Sequence, residues 1–153
     1  MRAVEAAQGG PGDGLFQHPG GVVDALLVGG LNSDTMTGGL GADTFIVLQE
    51  SITGTIETDI ILDFNQAEGD ILDVSGIDAN STLAGNQAFA FVTSHTNNAA
   101  GQMTASPAAG VTVLRFYTNA DNVADYQIRV TGDHTLDHVI TAGDPVGTGG
   151  WLL

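Results

Sequence analysis

Residues 29–47, GGLNSDTMTGGLGADTFIV, carry one nine-residue phrase twice. Gly29 aligns with Gly38, Gly30 with Gly39, Asp34 with Asp43, and Met36 with Phe45. A fixed short period means one structural unit stacked on itself, and the phrase follows the template G-G-x-G-x-D-x-U-x, where U is apolar. In such a unit the glycines turn the backbone tightly with carbonyls pointing inward. The aspartate adds a carboxylate, and the apolar residue enters the interior of a short strand. The expected fold is therefore all-β: a short right-handed parallel β-roll, two nonapeptides to a coil, followed by a β-rich C-terminal cap.

Weaker copies start at Gly9 (GGPGDGLFQ) and Gly20 (GGVVDALLV), with Asp13 and Asp24 one position early. They read as eroded coils of the same kind. Asn32 stands where the template has its third glycine. Asparagine is the next best residue for a positive φ, so that copy remains competent.

Hard oxygen donors crowded at a turn suit Ca²⁺, which accepts six to eight of them in loose geometry, better than Mg²⁺, which demands a near-ideal octahedron. The expected donors are Asp34 and Asp43 with backbone oxygens of Gly30, Asn32, Gly39 and Gly41. With two repeats per coil, Asp34 and Asp43 lie on opposite edges and each needs a partner in a neighbouring coil. Counting back one coil from Asp43 reaches Ala25, beside Asp24. Counting forward from Asp34 reaches Ile52, where there is no carboxylate, so completion must come from carbonyls or from acids further on, in TDIILDFNQAEGDILD: Asp59, Asp63, Glu68, Asp70 and Asp73. Asp59 and Asp63 are expected on one strand face, with Ile60, Leu62 and Phe64 turned to the core.

Composition removes most other chemistry. Three Lys+Arg against 18 Asp+Glu give a formal charge of −15, which opposes nucleic acid and anionic lipid. With no cysteine there are no disulfides, thiol catalysis or zinc–cysteine sites. All three cations are arginines, so Schiff-base and Ser–Lys chemistry is absent too. The N-terminal stretch has no apolar run of the length that a secretory signal or a membrane helix requires. There is no H-E-x-x-H or G-x-S-x-G string. His134 and His138 have i,i+4 spacing but sit in turn-and-strand text, so the chain is read as non-catalytic, any catalytic domain lying outside it.

Residues 1–8 show no periodicity and read as a flexible start, 9–47 as the roll (degenerate before 29), 48–144 as the cap and 145–153 as a tail. Within the cap, TDIILDF, DILDVS, AFAFVT, GVTVLRFY, DYQIRVT and LDHVIT read as strands. A short helix is expected in 76–87, capped by Asp78, Asn80 or Ser81, and 94–110 reads as an exposed loop. The tail, GDPVGTGGWLL, is either a docked hook or a flexible recognition tag.

The order GGLGADTFIV…TDIILDFNQAEGDILDVSGIDAN…NQAFAFV (38–92) resembles the C-terminal RTX module of serralysin-type metalloproteases. NADNVADYQIRVTGDHTL (119–136) resembles that module's closing segment and the R-modules of secreted mannuronan epimerases. The resemblance implies a calcium-binding β-roll that folds outside the cell after type I secretion, guided by an uncleaved C-terminal signal and serving an attached catalytic domain. It places the protein in the secreted, extracellular class, with calcium ions and the type I secretion apparatus as partners and no membrane insertion. The closing segment departs from its relatives: YTNADNVADY lacks the first aspartate and both glycines of D-x-N-G-D-G-x-A-D-F, which weighs against calcium at 119–125. The other function class is a polysaccharide-contacting appendage of a carbohydrate-active enzyme. Against that class, the charge of −15 opposes an anionic polymer unless bound calcium inverts the local field.

Overall fold

The computed structural model describes residues 4–8, 15–17, 23–48, 56–134, 139 and 149–153. Among the described residues, the first eight strands alternate between two sheets. Strands β1 (Val4–Gln8), β3 (Asp24–Val28), β5 (Thr44–Ile46), β7 (Ile71–Asp73) and β12 (Gly150–Leu152) stack in that order, all parallel, in a five-stranded sheet. The facing sheet starts with β2 (Leu15–Gln17), β4 (Thr35–Thr37), β6 (Glu57–Ile61) and β11 (Tyr126–Thr131), also parallel. It is extended by β10 (Val111–Tyr117) and β9 (Gln102–Ala108), which pair antiparallel, and by β8 (Ala90–Val92) at the edge. This is a parallel β-roll whose second sheet carries an antiparallel extension.

The inward positions follow one rule in four successive strands. Met36, Phe45, Ile61 and Leu72 are buried, and each lies two residues after a buried aspartate: Asp34, Asp43, Asp59 and Asp70. β6 and β7 are thus further turns of the roll without its glycines, and both sheets run on unbroken past position 47. One apolar core joins Leu27 and Phe45 of the roll to Met103, Phe116 and Ile128 of the extension. Trp151 stacks on Phe64 at 5.0 Å, and the buried tail strand β12 closes the five-stranded sheet. The tail is therefore docked as a hook.

Four expectations change. On β6 the inward row is Asp59 and Ile61, while Ile60 is only half-buried and Leu62 is exposed. Phe64 is buried as expected. The carboxylates point inward because the roll interior at that level binds backbone N–H groups, described below. No helix forms in 76–87: Asp78 accepts from the N–H of Asn80 and Gln87, and Asn80 accepts from the N–H and hydroxyl of Thr82. These side chains close local turns that compete with a helix instead of capping one. The segment read as a loop holds β9, whose Pro107 lies beyond the stretch paired with β8, where its missing N–H leaves no ladder bond unmade. Finally, Val4–Gln8 pairs with β3 through backbone bonds that need no periodic signal. Of LDHVIT only Val139, which bridges to Trp151, falls among the described residues.

Candidate metal centre

The two repeats place each aspartate against the first glycine of its own phrase. A Cβ on Gly38 would lie 2.6 Å from the carboxyl carbon of Asp43, and one on Gly29 would lie 2.9 Å from Asp34 Oδ2 and 3.2 Å from Asp59 Oδ2. The second glycine serves a different need, since Gly30 and Gly39 have φ of 98° and 97°. At the third site Asn32 takes φ 72° and Gly41 takes 136°, as the asparagine substitution led one to expect. Gly41 also abuts the carbonyl of Val23 on the preceding coil, where a side chain has no room.

The aspartates form two columns, one on each edge of the roll. On the first edge the Ala25 N–H donates to Asp43 Oδ1 (2.8 Å, 18 residues apart), and the Asp43 N–H donates to Asp70 Oδ1 (2.9 Å, 27 apart). On the second edge the Asp34 N–H donates to Asp59 Oδ1 (2.9 Å, 25 apart). Each carboxylate thus accepts from the equivalent position of the preceding coil. Other acids tie down the turns themselves. Asp24 accepts from the Ala42 N–H, Asp63 takes the N–H groups of Gly38 and Gly39 on its two oxygens, and Glu57 accepts from the Asn32 N–H.

Asp34, Asp43, Asp59 and Asp70 are each only 1% exposed. Loss of hydration raises Asp59 to about 6, against the hydrogen bonds from the Tyr126 hydroxyl and the Asp34 N–H. Asp34 and Glu57 push it the same way by repulsion. Burial likewise raises Asp70 to about 7, with repulsion from Asp43 and Asp63 added and the N–H groups of Asp43 and Asn65 opposing. Tyr126, buried and bonded to Asp59, is raised well above 10. Stacked buried carboxylates of one sign demand either protons or a cation.

The residues fit a calcium ion on this ground: every donor is a hard oxygen, and the columns hold negative charge that lacks hydration. Among the described residues, no three His, Cys, Asp or Glu side chains converge on one point. A cation at these turns therefore draws on backbone carbonyls as well.

The family model "Peptidase M10 serralysin C terminal" matches residues 2–141. The chain belongs to this family. It is a family of RTX-type calcium-binding, non-catalytic C-terminal modules whose relatives are secreted. Among solved structures, this serralysin C-terminal module is similar to the AlgE6R2 subunit of the mannuronan C5-epimerase of Azotobacter vinelandii, with TM-score 0.54 and 21% identity over 97% of this chain and 91% of that one. It is also similar to the AlgE6R3 subunit of the same enzyme, with TM-score 0.47 and 22% identity over 97% and 79%. At these identities the likeness is one of fold. No curated protein matches the chain in sequence. Among the described residues no helix is long and apolar enough to cross a membrane.

Of the residues singled out by sequence, the module brings Asp24, Asp34, Asp43, Asp59, Asp63 and Asp70 to the turns. It leaves Glu68 exposed on a 3₁₀ turn and uses Asp73 locally, to accept from Ser75. Sequence reasoning missed Glu57 and Tyr126. Counting on by 25 from Asn32 would have found Glu57, but the length of the insertion after residue 47 is not written in the repeat. At 119–125, Asp125 accepts from the Thr118 N–H and hydroxyl and from the Asn119 side chain, so this loop is closed by its own donors. His134 packs edge-on against Phe64, while His138 lies outside the described residues.

Proposed function

We propose that this chain is a calcium-switched RTX module: Ca²⁺ binds at the turns bearing Asp34 and Asp43, and the roll folds on binding. The observation that carries the reading is the pair of buried aspartate columns, Asp34–Asp59 and Asp43–Asp70, meeting glycine-built turns. Asp34 and Asp43, with carbonyl oxygens of Gly30, Asn32, Gly39 and Gly41, would hold the ions. Asp59 and Asp70 would complete the negative field from the next coil, while Asp24 and Asp63 hold the turns in shape through their N–H groups. Calcium supplies the positive charge that lets these carboxylates stay ionised when buried.

Extracellular modules bind Ca²⁺ with Kd of roughly 10⁻⁴–10⁻³ M, so at submicromolar cytosolic calcium the stabilisation nearly vanishes. The chain then remains loose enough to pass a type I secretion channel and folds outside, where it stabilises an attached catalytic domain. The test is circular dichroism and thermal melting of the chain in chelator and in millimolar calcium. A calcium-dependent gain of β signal and a higher melting temperature are expected; identical curves would defeat the switch.

A further inference from the structure

The tail strand β12 lies beside β7 as a bound peptide would. Thr44 of β5 and Gly150 of β12 both pair with Ile71 of β7, so Gly149 stands at the level that Asp43 and Asp70 hold in the two coils before it. A side chain has no room there. A Cβ on Gly149 would lie 2.6 Å from the Gln66 carbonyl oxygen, 2.7 Å from that of Asp70 and 3.0 Å from the Asp70 nitrogen, all of them backbone atoms that cannot swing away. The same seat supplies partners to the tail's backbone. The Gly150 N–H donates to the Asp70 carbonyl (2.7 Å), the Val74 N–H to the Leu152 carbonyl (2.9 Å), and Gln66 Nε2 to the Gly149 carbonyl (3.0 Å). Trp151 is fully buried, stacked on Phe64 and met edge-on by His134 at 6.3 Å. The slot therefore selects a pattern: a residue without a side chain, then Gly150 at φ 140°, then an aromatic ring.

Nothing in this seat requires the tail to come from the same molecule. β12 ends the strand order of its sheet, so its departure breaks no pairing between the coils. Its other neighbour is Val139, which bridges to Trp151 in parallel from only twelve residues earlier in the chain. A parallel neighbour needs a connection of about a dozen residues or more. Connections at that limit favour handing the terminal element to a second molecule. The indole N–H of Trp151 is buried without a hydrogen-bond partner, so the tail is held less tightly than the burial of its ring implies. Residues 145–153 contain no Asp, Glu, Lys or Arg, so the tail brings no side-chain charge to a second acidic chain.

We propose that the edge of β7, with Phe64, Gln66 and Asp70, is an acceptor slot for a Gly-Gly-Trp-Leu strand, filled by the chain's own tail and able to take the tail of a second copy. Two chains that exchange tails form a pair in which each completes the other's five-stranded sheet. The inference stands on the seating of the tail and does not rest on the calcium reading.

The test uses the full chain in millimolar calcium and a fluorescent peptide of residues 147–153, GTGGWLL, followed by anisotropy. In Gly149→Ala the chain's own tail cannot seat, and the peptide should bind. The wild type should bind it at least about tenfold more weakly, because its own tail competes at an effective concentration in the millimolar range. Peptides with alanine at the position of Gly149 or of Trp151 should not bind. Trp151→Ala vacates the slot by another route, and circular dichroism checks the fold of both variants. Sedimentation of the wild type from about 10 μM to about 1 mM should show a dimer fraction that rises with concentration and falls with excess peptide. Salt should raise that fraction by screening the like charges of the two chains. The proposal is overturned if neither folded variant binds the peptide, or if the alanine peptides bind as well as the native sequence. A wild type that stays monomeric at about 1 mM, or a dimer that excess peptide does not dissolve, overturns it too. The sedimentation arm decides even where a variant unfolds. Calcium stoichiometry is measured separately, so a failure there is distinguishable from a failure of tail exchange.

Discussion

The glycine coils of residues 23–47 and the antiparallel strands of residues 102–131 share one core but satisfy their backbones differently. In the coils, N–H groups at the turns are met by carboxylates from other coils: Asp24, Asp43, Asp59 and Asp63. In the antiparallel strands the ladder is closed by backbone partners, and the buried polar groups of 102–131 are the neutral side chains of Thr104, Thr112 and Thr118 and the Tyr126 hydroxyl, which reaches back to Asp59. The first region buries charge and the second does not. Dependence on a cation should therefore be local, even though the sheets are continuous.

The largest expected effect is loss of calcium itself. At about a hundredfold excess over Kd, each bound ion adds about 2.7 kcal/mol. Hydrogen exchange in chelator should release the amides of 23–47 together with those of β6 and β7, while amides of β9, β10 and β11 keep more of their protection. Equal loss in both regions would break the comparison and make the whole chain one cooperative unit.

Next comes Asp43→Ala. It removes the acceptor of the Ala25 N–H, and a buried donor left unmet costs about 1–3 kcal/mol. It should also lower the calorimetric calcium count by one. An unchanged count would remove Asp43 from the ligand set and leave it a purely structural acceptor.

Protons and calcium should compete in the coils alone. Asp59 and Asp70 have folded-state values near 6 and 7 against 3.8 for the free group, so the folded chain binds these protons more tightly than the unfolded one. Without calcium their stabilising contribution is fully present below about pH 3.8 and is lost as pH rises through 7. With calcium the trend reverses, because the ion needs the ionised forms: apparent affinity should fall as pH is lowered from 7 to 5. Melting temperatures against pH, with and without calcium, measure both limbs. Parallel curves would mean that these carboxylates are not coupled to the ion.

How much of this was legible in the sequence follows from the same contrast. The coils were readable because their constraints are local: Gly38 must lack a Cβ because of Asp43 five residues on, and Gly39 needs a positive φ. The strands of the cap were visible through their β-branched and aromatic runs. What could not be read was long-range closure. Tyr126 meets Asp59 across 67 residues, and Gly150 donates to the Asp70 carbonyl from the far end of the chain. The inward turn of Asp59 was missed for a related reason. Hydrophobicity alone puts Ile60 and Leu62 in the core, and only the demand of the Asp34 N–H for an acceptor reverses the face.

The smallest effects separate two reasons for glycine. Gly38→Ala forces a Cβ against the Asp43 carboxyl group, which must shift and loosen its hold on the Ala25 N–H. Overpacking of this kind costs about 1–3 kcal/mol, and the displaced carboxylate should weaken calcium binding in parallel. Gly110 follows Ala109 at the β9–β10 turn, with φ 83° and 48°, and a Cβ there would meet nothing within 4 Å. Gly110→Ala carries only the left-handed backbone penalty, about 1–2 kcal/mol, and should leave calcium affinity untouched. Melting with calcium titration of both variants gives the discriminating pair of numbers. If Gly110→Ala also lowers calcium affinity, the antiparallel region is coupled to the turns through the shared core. If Gly38→Ala lowers stability alone, the Asp43 carboxylate holds the coil without holding an ion.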